Sequence, residues 1–270
     1  MMGPQHALSG AAAWLAGCWA LDQFAGYEQT PIAIAVGTAM CAGGALLPDI
    51  DLSGRVTKNR GGATVAKTFG VFSLFVAEVV EKFSLGVYTA TRLSKDPKRD
   101  NGHRTFTHTL PFAALIGWGT SALCDAFGKW AVIGILFFMI GLALRGLFDE
   151  WAERAGWVVI TLLSAAAAWF TFLNLPGDRG YPMLGVAIGV GCVMHLFGDM
   201  ITKSGVPILW PIPTAKGRLW RMIGINDKWA IKVGGKFETI WLRGAFTVIS
   251  LAAAAALMGR SALRYFNIEI

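Results

Sequence analysis

The chain has 270 residues, of which 54% are hydrophobic and only 15% charged, with a net charge of +7. Repeated near-charge-free runs, long enough to cross a hydrocarbon core of about 30 Å, argue against a large soluble domain and for a polytopic membrane protein. The positive balance then points to topology and anionic lipid, because no basic helix interleaved with aromatics suggests nucleic acid.

In chain order, seven stretches are predicted to cross as helices: 7–24, 30–47, 109–127, 130–148, 157–175, 181–200 and 243–259. The first is the least apolar, because Asp22 and Gln23 sit near its end, and it lacks the basic start of a signal peptide, so it is expected to be retained. Gly26 and Pro31, then Gly128, then Pro176, Gly177 and Gly180, mark the turns. The stretch 64–93 is long and apolar but carries Glu78, Glu81 and Lys82, which are costly at mid-bilayer. It is expected to be an amphipathic interfacial or re-entrant segment, not a span. The fold class is therefore all-α: a polytopic transmembrane helical bundle of about seven spans in a single domain over 1–270, with loops 48–108 and 201–242 on one side.

That side gathers most of the basic residues. It holds Arg55, Lys58, Arg60, Lys67, Arg92, Lys95, Lys98, Arg99 and Arg104, and later Lys203, Lys216, Arg218, Arg221, Lys228, Lys232 and Lys236. The positive-inside rule makes it cytoplasmic. Cys18, Cys41, Cys124 and Cys192 lie singly inside apolar runs, as buried thiols do, with no Cys-x-x-Cys pair.

All four histidines, His6, His103, His108 and His195, fall in short polar islands between the apolar runs. Histidine nitrogen and carboxylate oxygen are the ligands that zinc and similar divalent ions accept. Pro48 discourages helix through residue 47, so Asp49 and Asp51 are expected on an irregular or extended segment. One acid would bind an ion directly while the other binds a second ion or orients a ligand; two ordinary acids at a helix end are the plain alternative. His103 and His108 are five apart, which is not a helical pair; Thr107 or Thr109 is expected to cap the next helix, with Pro111 in its first turn. Arg104 offers a planar fork for an oxyanion or a phosphoryl group. His195 and Asp199, four apart, share one helix face and offer one nitrogen and one oxygen, unless they simply pair within the bundle. Glu238 lies just before the last span, as a ligand, a general base or a plain helix-start acid.

Taken in order, His6, Leu47-Pro48-Asp49-Ile50-Asp51, His103-Arg104-x-x-Thr107-His108, His195 with Asp199, and the Gly-Gly-Lys-Phe-Glu segment ending at Glu238 resemble the membrane-bound metal-dependent hydrolase family. Its best known member is an SOS-controlled inner-membrane protein of enteric bacteria. The family is also distantly similar to zinc-dependent phospholipases C. The chain carries Thr109 where a serine often follows the second histidine.

The resemblance implies a hydrolase of the bacterial inner membrane, with its site facing the cytoplasm. It would cleave a phosphoester or phospholipid with water activated by one or two divalent ions, zinc first, manganese or magnesium otherwise. The expected metal residues are His6, Asp49, Asp51, His103, His108, His195, Asp199 and Glu238, and the expected catalytic residues are Asp51, Arg104 and Glu238. The expected partner is a membrane lipid or lipid-like phosphoester, with no nucleic acid and self-association left open. A divalent-metal or small-solute transporter, and a non-catalytic protein stabilised by its metal, are the alternatives.

Overall fold

A computed structural model describes residues 1–52, 66–177, 179–226 and 228–265. Arg55, Lys58 and Arg60 of the basic side lie outside the described residues. The described chain is a helical bundle: α1 (Gly3–Ala25), α2 (Pro31–Gly44), α3 (Val71–Thr91), α4 (Leu110–Phe127), α5 (Lys129–Leu147), α6 (Asp149–Asn174), α7 (Met183–Met200) and α8 (Arg243–Tyr265). Short helical turns cover Leu47–Asp51 and Phe106–His108, and a π-helical turn, Phe237–Leu242, leads into α8.

Six helical segments among the described residues are long and apolar enough to span a membrane. They begin at α2, α4, α5, α6, α7 and the π turn. The 23-residue α1 is as long, but it carries buried Gln5, His6 and Asp22. It packs against α2, α7 and α8, so its polar groups are enclosed by protein. The predicted start of the fifth span at Trp157 coincides with a break in α6 at Gly156, where φ is +80°.

Within a bilayer, helices associate through close van der Waals contact, which small residues permit. The α2–α7 seam illustrates this. A Cβ on Gly191 would collide with the Cys41 carbonyl oxygen, and one on Gly44 would stand 2.8 Å from the Ile188 oxygen. On its other side α2 meets α5, where a Cβ on Gly43 would collide with the Met139 oxygen. The backbones therefore touch, and the ends of these helices are fixed relative to one another.

Within the 64–93 stretch, α3 is not among the described helices apolar enough to span a membrane. Phe69 stacks on Phe137 and Phe138 at 5.0 and 5.5 Å, beside the middle of α5. From there α3 climbs toward the end of the bundle that carries the 47–51 and 106–108 turns, and it packs on both. Val71, Phe72, Phe75, Val79 and Phe83 are exposed along it. Glu81, on its inner side, accepts a hydrogen bond from the Gly102 N–H at 3.1 Å. Glu78 and Lys82 pair one turn apart at 2.9 Å. α3 thus packs against both turns at one end of the bundle.

Candidate metal centre

Three elements deliver the ligands. At the end of α2 the chain tightens into the Leu47–Asp51 turn, with Pro48 as its second residue. The sequence pattern predicts an irregular or extended segment here; the residues instead form a single 3-10 turn, which Pro48 opens without needing an N–H. Leu46, Leu47 and Ile50 are buried and anchor the turn, leaving Asp49 partly open and Asp51 fully enclosed. The Phe106–His108 turn precedes α4, whose N-terminus is capped by Thr109: its hydroxyl accepts from Phe112 N–H at 3.3 Å. Near the end of α7, His195 and Asp199 project from the same face, both buried.

These residues meet at one point. His195 Nε2 lies 3.3 Å from His108 Nε2 and 3.7 Å from Asp49 Oδ1. His108 Nε2 lies 3.5 Å from Asp49 Oδ1. Asp199 Oδ2 stands 3.9 Å from each imidazole nitrogen. A tetrahedral zinc with bonds of about 2.0–2.1 Å has ligand-to-ligand edges of about 3.3 Å, so the two nitrogens and the Asp49 oxygen already stand close to the separations an ion requires, with Asp199 Oδ2 within reach of both nitrogens.

The outward nitrogens fix the inward ones. His195 Nδ1 donates to the Ala45 carbonyl at 2.8 Å, which leaves Nε2 with its lone pair toward the cluster. The Thr107 hydroxyl donates to Asp51 Oδ2 at 2.5 Å, so it accepts from His108 Nδ1 at 3.0 Å. Asp51 Oδ1 also takes His103 Nδ1 at 2.8 Å. Burial by itself would push the His108 imidazolium down, but the carboxylates of Asp49 and Asp51 override it and hold His108 up at about 9 in the metal-free protein.

His6 enters from the first turns of α1. Its ring stacks on that of His195, with centroids 3.9 Å apart, and its Nε2 lies 3.4 Å from Asp199 Oδ1. Both ring nitrogens are buried without a hydrogen bond, a costly state that a cation would relieve at the lone-pair nitrogen. His6, His195 and Asp199 form one group with metal-ligand spacing, and Asp49, His103 and His108 form another. The residues present thus fit one or two divalent ions.

Positive charge borders the cluster. Arg104 adopts φ +56°, a left-handed conformation that costs a non-glycine residue roughly 1–2 kcal/mol. It aims its guanidinium at Asp199 Oδ2, 2.7 Å away, and at the Gly205 carbonyl, 3.3 Å away. The α-amino group of Met1 reaches Asp199 Oδ1 at 2.5 Å. Glu238 lies next door: its two oxygens accept from Met2 N–H at 2.5 Å and Gly234 N–H at 2.8 Å. The structure therefore brings His6, Asp49, Asp51, His103, Arg104, His108, His195 and Asp199 into one network and sets Glu238 at its edge, against the backbone.

A family model described as YdjM inner membrane protein matches residues 1–264. The chain belongs to this family. With its spans, it is a multi-pass inner-membrane protein. No curated protein and no solved structure matches it.

Sequence reasoning misses the groups that act from outside the ligand set. Thr107 stands out as a possible cap and as part of the His103–His108 segment but not as a site residue, yet its hydroxyl links Asp51 to His108. The Ala45 carbonyl carries no side-chain signal at all. Gly198 does leave one, a glycine between His195 and Asp199: a Cβ there would stand 3.0 Å from the His6 ring.

Proposed function

We propose that this inner-membrane protein is a metal-dependent hydrolase that cleaves a phosphoester, most simply a phospholipid drawn from the cytoplasmic leaflet. The observation that carries the reading is the convergence of His108, His195 and Asp49, 3.3–3.7 Å apart, with Asp199 3.9 Å from both histidine nitrogens, at one end of the bundle. The basic residues on that end support a cytoplasmic orientation.

In this reading Asp49, His108, His195 and Asp199 hold the principal ion, zinc by donor type, and His6 with Asp199 offers a second place. The bound ion supplies a water acidic enough to be hydroxide near neutral pH. His103 accepts a proton at the mouth of the site: Asp51 holds its Nδ1–H at 2.8 Å, which leaves Nε2 bare. Asp51 thus acts through His103 and His108. Arg104, charged and forked, stabilises negative charge on the phosphoryl group. The buried walls exclude bulk water, which strengthens each of these interactions.

A transporter would set ligands along a path through the bilayer. The candidate ligands here gather at one end instead, which favours the hydrolase.

The test is turnover of a panel of phospholipids and soluble phosphomonoesters and diesters by purified protein of known metal content, beside His195→Ala and His103→Gln. Hydrolysis by wild type that disappears in both variants supports the reading. Fully loaded wild type that turns over no phosphoester class would overturn it.

A further inference from the structure

The segment between α7 and the π turn, residues 203–236, carries Lys203, Lys216, Arg218, Arg221, Lys228, Lys232 and Lys236 against a single acid, Asp227, which lies outside the described residues. All seven basic residues are exposed. Interleaved with them are Leu209, Ile212, Ile225, Trp229 and Val233, large apolar side chains that are also exposed, Trp229 at 81%. A solvated loop has no use for both features together.

The loop is also tied to the ends of the spanning helices. Leu110 N–H, at the start of α4, donates to the Ile208 carbonyl at 3.3 Å. Ile225 N–H donates to Met200 and Ile231 N–H to Ile201, at 3.0 and 2.9 Å, at the end of α7. Farther along, Gly234 is tied to Glu238 at the start of the last span. Within the segment, Trp220 stacks on Trp210 at 5.0 Å, and Trp210 meets Phe106 two residues before His108. The segment therefore lies across the ends of α4 and α7, beside the candidate metal centre.

We propose that residues 203–236 form a collar that binds the anionic phospholipid headgroups of the surrounding leaflet. Basic side chains meet the phosphates while Trp229, Ile212 and Leu209 enter the acyl boundary. The collar builds on the phospholipid reading of the metal centre by naming the headgroup charge, but it needs lipid selectivity and not hydrolysis.

Quenching of Trp229 tests it. The protein is placed in nanodiscs containing brominated phosphatidylglycerol or brominated phosphatidylcholine, and the Trp229→Phe signal is subtracted. Brominated phosphatidylglycerol is expected to associate about fivefold more strongly, roughly the factor one basic contact with an anionic surface supplies. The preference should fade in about 1 M salt, where the Debye length is about 3 Å. It should also fade in the variant with Lys216, Arg218, Arg221, Lys228 and Lys232 all changed to Gln. Equal quenching by both lipids, or a preference insensitive to both salt and charge removal, would overturn the collar. So would tight binding of a DNA duplex without lipid preference, which would assign the face to nucleic acid. Metal content measured on the same samples separates the two ideas: an intact centre without lipid preference removes the collar alone, and lipid preference without a metal removes the hydrolase alone.

Discussion

Asp51→Asn removes one charge and almost no volume, and its consequence can be worked out from the hydrogen bonds. Asp51 accepts from both His103 Nδ1 and the Thr107 hydroxyl. Asparagine has one accepting oxygen and one donating amide. If the amide faces Thr107, the hydroxyl must accept from it and turn its own proton toward His108 Nδ1. His108 then carries its proton on Nε2, where the ion should bind. If the amide faces His103, that ring flips its tautomer instead, and the lost carboxylate charge still weakens the Nδ1–H of His108. Partners of metal-binding histidines typically contribute about 10–100-fold in affinity, or about 1.4–2.8 kcal/mol at roughly 1.4 kcal/mol per tenfold. The assay is competition for zinc against a chromophoric chelator in detergent at about pH 7. We expect the fold to be retained and the dissociation constant to rise by about that factor. An unchanged constant would refute the orienting role, and complete loss of the metal with the fold intact would make Asp51 a direct ligand.

His195→Ala deletes one ligand outright, and elemental analysis is expected to find the principal ion gone while circular dichroism shows the helices unchanged; wild-type metal content would remove His195 from the centre. Because His108 holds a proton up to about 9 when metal is absent, binding must displace it. Apparent affinity should climb by up to about tenfold per pH unit between about pH 6.5 and 8.5, and a flat profile would contradict the assignment. Arg104→Gly keeps the left-handed backbone but removes the fork, so phosphoester turnover should fall by about 10²–10³-fold with metal retained; equal activity would exclude Arg104 from the reaction. Gly191→Val should lower the thermal midpoint through a clash worth at least about 1–3 kcal/mol, whereas Gly119→Ala, with nothing within 4 Å of the new Cβ, should not; scanning fluorimetry compares them.

Much of the fold is written in hydropathy. The apolar runs mark the spans because a bilayer imposes length and apolarity on any helix that crosses it. Glu78, Glu81 and Lys82 keep α3 out of the set of helices apolar enough to span among the described residues, and Phe69, just before it, packs beside the middle of α5. The apolar pattern starts the last helical segment at 243, yet helix begins at Phe237. Glu238 looks like a boundary, and only its two backbone partners explain how it is accommodated. In the site, the four-residue spacing of His195 and Asp199 is legible because helix geometry puts such a pair on one face. The 3-10 turn at Asp49 is not, since a proline marks the stop of a helix more clearly than the conformation beyond it. The carbonyl of Ala45 is out of reach, because a backbone oxygen has no sequence.

The glycine seams have a consequence for the choice of ion. Asp49 comes just after the end of α2, and His195 sits four residues beyond Gly191 on α7, where the two backbones touch. Such a junction has no slack: it cannot close without collision, and opening it forfeits packing along both helices. Calcium takes about six to eight oxygens at about 2.3–2.6 Å, and the ligand walls would have to spread to admit it. If the proposed ion is held there, contact between the helix backbones would act as a gauge, admitting ions by radius before ligand chemistry discriminates among those that fit.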